Sequence, residues 1–321
     1  MSKFVISRIN DLESLMRFWS ASPDATIFTH PVVLPILVNQ IEWWMAYNGD
    51  EPVCLWPICK SGFRNGGHSR FAYYVGPLWS KKYKSLSAHR WFQASGQVYS
   101  GFIDQFEKNR LPSEASMAPT LPDIRHFLWL SNSKSEKPRI LVNPRYTAVL
   151  DLDTFEPENI SNSVSTNRRR EIQKIQNSRR YTIAEKINTH QAMQLYQSFF
   201  SKANILMRDD DYSNLQRLFD LIMLGYGFYA GYRDDTSGEL ISIAIILFND
   251  STANLVLNLT HHEYRSTGVG TSTILHAITT SKQHGRKLFD FNGANHPQRA
   301  FYKHSFGASP QLYFDLNFTW G

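Results

Sequence analysis

Arg265-Ser266-Thr267-Gly268-Val269-Gly270 follows an apolar, strand-like run at 253–259 and precedes a helical pattern at 271–283 that Gly285 closes. A strand feeding a glycine-bearing turn and then a helix presents unpaired N–H groups and the positive end of a helix dipole, which suits a phosphate. In this reading Gly268 and Gly270 remove the Cβ atoms that would keep phosphate oxygens away, and Arg265 adds charge. The amides of Val269, Gly270, Thr271 and Ser272 are the expected donors. Six residues with two fixed glycines also occur in ordinary turns, so the surroundings must decide. A dinucleotide-binding unit is excluded: no third glycine follows, and the preceding strands form a meander rather than a strand-helix-strand unit. A Walker loop is excluded by the lack of Gly-Lys-Ser/Thr.

Downstream, 287–291 reads as a strand ending in Asp290-Phe291-Asn292-Gly293, and 295–305 as a helix that brings Asn295, Arg299 and Tyr302 onto one face, with Lys303 beside them. Phe306-Gly307-Ala308 closes it. The R-x-x-G-x-G loop together with Asn295, Tyr302-Lys303 and Phe306-Gly307 resembles the GNAT superfamily of acyl-CoA-dependent N-acyltransferases. A second stretch, Asn167-Arg168-Arg169-Arg170-Glu171-Ile172, resembles the R-R-x-I segment of the Fem-type transferases, which are built from two GNAT-like halves.

The resemblance implies an α+β or α/β fold of two tandem GNAT-like domains, each a mixed, largely antiparallel sheet flanked by helices. It implies that the 287–291 strand splays from its neighbour, so that residues 257–260, Leu257 and Leu259 among them, pair with the pantetheine arm of acyl-CoA. Asn292, Asn295, Arg299 and Lys303 would join the cofactor site. Tyr302 matches the tyrosine that protonates the departing thiolate, although a core tyrosine would look the same in sequence. Amine attack on a thioester also needs a proton acceptor; His261, His262 and Glu263 at a strand end, or Asp290 on the neighbouring one, are the candidates. Neither cysteine lies near these motifs, so direct transfer in a ternary complex is expected. Adjacent histidines on a strand point to opposite faces, which argues against a metal.

Helix, helix and three hairpin-linked strands occur twice along the chain. Helical patterns at 10–20 and 29–41 precede strand-like runs at 43–47, 53–59 and 71–75. Those at 189–202 and 211–224 precede runs at 228–232, 240–248 and 253–259. The turns between the early strands fall at 48–50 and 64–67. A tandem duplication follows, with a degenerate domain at 1–145, a catalytic domain at 146–321, a proline-rich linker across 111–145, a strand at 146–150 and a charged helix at 158–178. The first half has no glycine loop after its meander, so only the second is expected to hold a pyrophosphate.

The 321 residues include 21 Phe, 15 Tyr and 8 Trp with 42% hydrophobic content, which marks a globular chain able to bury two cores. Cys54 and Cys59 fit neither a zinc spacing nor a disulfide framework. No h-region opens the chain and its longest apolar run, 240–248, is too short for a bilayer, so a cytoplasmic protein without membrane insertion is expected. The net charge of +6 is modest for this length and suits a phosphorylated small molecule without requiring nucleic acid. The expected partners are acyl-CoA, as co-substrate rather than tightly bound cofactor, and a nucleotide-linked amino sugar such as a dTDP-amino-deoxyhexose receiving an acetyl or short hydroxyacyl group. Two alternatives stay open: a Fem-type aminoacyl-tRNA-dependent peptidyltransferase of peptidoglycan synthesis, and a non-catalytic binding module.

Overall fold

A computed structural model describes residues 4–59, 71–111, 114–132, 139–160, 163–202 and 210–319. The chain forms two compact units, Met1–Arg145 with Leu312–Gly321, and Tyr146–Gln311. The C-terminal stretch therefore belongs with the first unit.

The first unit opens with β1 (Val5–Arg8), α1 (Leu12–Ala21), a 3-10 turn (Ile27–Thr29) and α2 (Val33–Leu37). Asp11 caps α1 by accepting from the Ser14 amide at 2.8 Å, and Leu15, Phe18 and Trp19 give it one buried face. Then come β2 (Ile41–Asn48), β3 (Glu51–Cys59), β4 (Leu78–Trp79), α3 (Lys81–Lys84), α4 (Ala88–Lys108), β5 (Glu114–Ser116), α5 (Arg125–Asn132) and β6 (Arg139–Asp151). Strands β1 to β4 form an antiparallel sheet in chain order. Helix α4 supplies Val98, Phe102 and Phe106 at four-residue spacing to a core centred on Trp56, which is fully buried among Tyr99, Phe102, Phe106, Phe127 and Phe318.

The second unit contains α6 (Thr166–Gln176), β7 (Tyr181–Ile183), α7 (Thr189–Lys202), α8 (Asp211–Met223), β8 (Gly227–Asp234), β9 (Leu240–Phe248), β10 (Thr252–Thr260), a 3-10 turn (His262–Tyr264), α9 (Val269–Gln283), β11 (Leu288–Asp290) and α10 (Pro297–His304). The last strand, β12 (Ser309–Thr319), pairs through Asp315, Leu316 and Asn317 with β5 in the first unit. The end of β6 pairs with β11 in the second. The second unit's strands run β6-β11-β10-β9-β8-β7, and only β10 with β11 is parallel. Strand β9 is buried almost throughout because α7 and α9 both pack on it, which is why its sequence is a continuous apolar run rather than an alternating one.

Strand, helix, helix, three strands, helix, strand, helix, strand thus occurs twice, with α3 and α6 as additions. The repeat extends well beyond the meander visible in the sequence. Several expectations are corrected. The 29–41 helix shortens to α2, because Gln40 turns left-handed (φ 59°) and β2 begins at Ile41. The 71–75 strand is irregular, Tyr74 having φ 47°, and β4 takes its place. The 111–145 segment carries β5, α5 and the start of β6, and the charged helix begins at Thr166. The 64–67 turn lies outside the described residues. Among those residues no helix is long and apolar enough to cross a membrane, and no three His, Cys, Asp or Glu side chains are grouped to hold a metal.

At the end of β8, Asp234 accepts from Arg180 at 2.7 Å and from the Tyr264 hydroxyl at 2.6 Å, pinning the turn before α9. The Arg180 hydrogen bonds hold its carboxyl well below the usual carboxylate range against the cost of burial. A depressed folded-state pKa contributes stability above the unfolded value, about 4, and loses it as pH falls toward the folded one. Thermal melts of wild type and Asp234→Asn should therefore differ most between about pH 5 and 7 and converge as the pH drops below about 4. Trp56→Ala should cost about 3–5 kcal/mol in a urea titration of the full chain, since the ring is completely enclosed.

Candidate functional site

Strand β11 pairs with β10 only through Leu288, Phe289 and Asp290 opposite Thr252, Ala253 and Asn254, and then leaves it. The register of β10 against β9 shifts between Leu255 and Leu257, marking a bulge. At this point the Asn292 side-chain amide donates to the Leu255 carbonyl at 3.1 Å, in place of a strand N–H. Asn292 is buried and left-handed (φ 49°), and its amide N–H donates to Asp290 Oδ1 at 2.8 Å. The Lys303 ammonium donates to the carbonyls of Phe291 and Gly293 at 2.8 and 2.6 Å, and also to that of Asn292. Burial lowers the Lys303 pKa to about 8. Lys303 thus fastens α10 to the end of β11.

Beyond the bulge the free edge of β10 can be read from its hydrogen bonds. The His261 amide donates to Ile241 O at 2.8 Å, so in this register Leu257, Leu259 and His261 turn their backbone groups to β9. Asn258 and Thr260 turn theirs to the open side. On that side it is Asn258 and Thr260, not Leu257 and Leu259, that present backbone groups, because N–H and C=O direction alternates along a strand. A cleft of about 230 Å³ lies there, lined by Arg168, Phe199, Asn258, Thr260, Arg265, Gly268, Gly270, Thr271 and Tyr302.

The glycine loop has the conformation a helix entry needs, but its glycines answer first to protein neighbours. Gly268 has φ 99°, and a Cβ there would sit 2.9 Å from the backbone oxygen and the Cβ of Glu171 on α6. A Cβ on Gly270 would lie 2.6 Å from Thr260 Oγ1. The Val269 amide is already bonded to Thr267 Oγ1 at 3.2 Å, and the Ser272 amide to Gly268 O at 3.1 Å. Gly270 and Thr271, at the second and third helical positions, remain as the donors at the head of α9. Ser272 is buried. Arg265 is exposed and lies 4.9 Å over the Phe199 ring.

At the mouth of α9, residues distant in sequence converge. Arg168 donates to Thr271 Oγ1 at 3.0 Å and to Ser305 Oγ at 3.1 Å, forms an ion pair with Glu171, and lies 4.7 Å over the Tyr302 ring. Thr271 in turn donates to Glu171 Oε2 at 2.5 Å. Burial pushes the Tyr302 phenol up to about 12, so it stands protonated in the neutral range. Tyr302 lines the cleft. Arg168 and Glu171 were visible only as part of a family-like helix; nothing local in the sequence gave them a place beside Thr271.

The other predicted residues lie elsewhere. His261 turns toward His262 and Tyr264, with ring centroids at 4.4 and 5.7 Å, and Glu263 is exposed 3.8 Å from His262; none of these is among the residues lining the cleft. Asp290 is buried and occupied by the Thr147 hydroxyl and the Asn292 amide. Asn295 accepts from the Tyr146 amide at 2.7 Å, and Arg299 is exposed. Of the expected proton acceptors, Asp290 is held by its neighbours, and His261, His262 and Glu263 are not among the residues lining the cleft.

No protein-family model and no curated protein matches the sequence. Solved structures do match its fold. One is FemX, with TM-score 0.64, 11% identity and 96% of each chain covered. Another is a tandem GNAT protein from the clavulanic acid biosynthesis pathway, solved without AcCoA, with TM-score 0.59, 14% identity and 98% of each chain covered. A third is L-PGS from Bacillus licheniformis, with TM-score 0.57, 12% identity and 96% and 91% covered. The chain has the tandem GNAT-like fold, a four-stranded antiparallel sheet and an eight-stranded, largely antiparallel one, both flanked by helices. Gly268→Ala, which must displace the Glu171 backbone from a left-handed position, should destabilise the chain by roughly 1–3 kcal/mol in denaturant titrations.

Proposed function

We propose that the second unit is an N-acyltransferase that binds acyl-CoA along the free edge of β10 and passes the acyl group directly to an amine. The observation that carries this reading is the parting of β10 and β11, which leaves the backbone groups of Asn258 and Thr260 open beside Tyr302 and the head of α9. An amide-bearing arm can lie there as an added strand. Its phosphates would meet the Gly270 and Thr271 amides, Arg168 and Arg265. Tyr302 stands where a protonated phenol can meet the departing sulfur. The likeness to a tandem GNAT protein whose name refers to AcCoA supports the same donor.

For the acceptor we propose the amine of a nucleotide-linked amino sugar, a phosphorylated partner that suits the basic excess. One observation favours a second reading. Glu171 already meets Thr271 at the head of α9 and its backbone packs on Gly268, so protein covers part of the place a diphosphate would take. Together with the FemX-like fold this suits the aminoacyl-tRNA donor of Fem-type transferases.

Calorimetric titration with acetyl-CoA, and with aminoacyl-tRNA in parallel, separates the donors. Binding of acetyl-CoA with release of CoA in the presence of a dTDP-amino-deoxyhexose is the expected result; binding of aminoacyl-tRNA alone would replace it. Tyr302→Phe should keep donor affinity and lower turnover by about 10²–10⁴-fold. Undiminished turnover would remove the tyrosine from the chemistry.

A further inference from the structure

Arg168 on α6 holds Tyr302 twice. Its guanidinium lies 4.7 Å over the Tyr302 ring. Its Nε donates to Ser305 Oγ at 3.1 Å, and that hydroxyl donates onward to the Tyr302 carbonyl at 2.6 Å. One cation therefore meets the tyrosine at the ring and, through a single serine, at the backbone. The Phe306 ring meets that of Tyr302 at 74° with centroids 5.3 Å apart. Arg168 is itself fixed, because Nη1 donates to Thr271 Oγ1 at the head of α9 and pairs with Glu171 on its own helix. Among the described residues only Nη2 makes no such bond, and it is the part of the side chain left for a phosphate.

We infer that Arg168 is the positioning residue of Tyr302: it fixes the phenol at the cleft and steadies the phenolate once the proton has left. The inference rests on the thioester reading above. In that reaction the acceptor nitrogen bonds to the acyl carbon, the carbon–sulfur bond breaks with its electron pair on sulfur, and Tyr302 gives its proton to the sulfur. The nitrogen sheds one proton to water and the phenolate takes one back from water. The protein ends as it began, and no oxidant or reductant enters.

The phenol needs such help, since burial pushes it up to about 12 and so makes it a weak acid. A phenolate spreads its charge over the ring as well as the oxygen. A guanidinium over the ring face therefore attracts the phenol weakly, as a cation on a quadrupole, and the phenolate strongly, as a cation on an anion. The other charged groups nearby do not supply this. Lys303 gives its ammonium to three carbonyls at the end of β11, and Arg265 lies over Phe199. The Glu171 charge acts on the phenol in the opposite sense, but Glu171 is paired with Arg168 and is not among the residues lining the cleft. Arg168 is thus the cation in contact with the ring.

The test uses the full chain. Replacing Tyr302 by a trifluorinated tyrosine, whose phenol ionises near neutral pH, lets fluorine NMR read its protonation without any substrate. Adding Arg168→Gln should lower the phenolate-to-phenol ratio at fixed pH about ten- to a hundredfold, and Arg168→Lys, which keeps the charge but not the planar fork, should fall in between. In turnover of acetyl-CoA with hydroxylamine as a small nucleophile, Arg168→Gln should lower kcat about 10- to 100-fold and change KM for acetyl-CoA less. Placed on Tyr302→Phe, the same substitution should lower kcat by no more than about twofold further, because it acts through the phenol. A purely structural role would lower the melting temperature of the Arg168 variants and leave the phenolate ratio as in wild type. If Arg168→Gln does not fold, Arg168→Lys carries both comparisons. An unchanged ratio, or losses that multiply in the double variant, overturns the inference alone. A wild type that releases no CoA removes the thioester reading and the inference with it.

Discussion

The second unit is organised around the point where β11 abandons β10. A parallel pair that continued would satisfy the edge of β10 with backbone bonds; here the Asn292 side chain takes the Leu255 carbonyl and the strand turns away. The turn is not a relaxed one, since a buried asparagine at φ 49° persists only where its surroundings hold it. Lys303 does so by gathering three successive carbonyls, and the same lysine ties down α10. The opening between strands and the position of Tyr302 are therefore set by one group of contacts.

That arrangement changes the meaning of the glycine loop. Read as sequence, Gly268 and Gly270 make room for a phosphate. In the folded chain they make room for Glu171 and Thr260, the first on a helix that lies outside the repeated strand-helix order. Both demands fall on the same place, since the missing Cβ of Gly268 admits α6 beside the Gly270 and Thr271 amides at the head of α9. Helix α6 brings to that head a cation and an anion together, where a simple anion site would present only positive charge.

Much was legible from local pattern. Helices α7, α8 and α9 and strands β8, β9 and β10 fall close to where periodicity and turn residues place them, because each has a long apolar pattern of one period. The segment at 111–145 read as linker because β5 and α5 are short, prolines punctuate the segment, and pairing partners, such as Asp315 for Ser116, lie far along the chain. The proton-acceptor candidates were chosen for residue type and nearness to the loop. Their orientation depends on strand alternation and on partners such as Thr147 for Asp290, neither of which nearness in sequence reveals.

The sequence alone determined that a strand, a glycine-bearing turn and a helix follow one another before a tyrosine-bearing helix, and that a strand-and-helix plan recurs. These are properties of neighbouring residues, governed by backbone conformation and hydrophobic period. Tertiary structure decided which edge of β10 is open, that Asn258 and Thr260 face it, and that Arg168 and Glu171 meet Thr271 from about a hundred residues away. Hydrogen-bond direction and the convergence of distant side chains are fixed only when the strands pair and the helices pack, and the chemistry of the cleft depends on both.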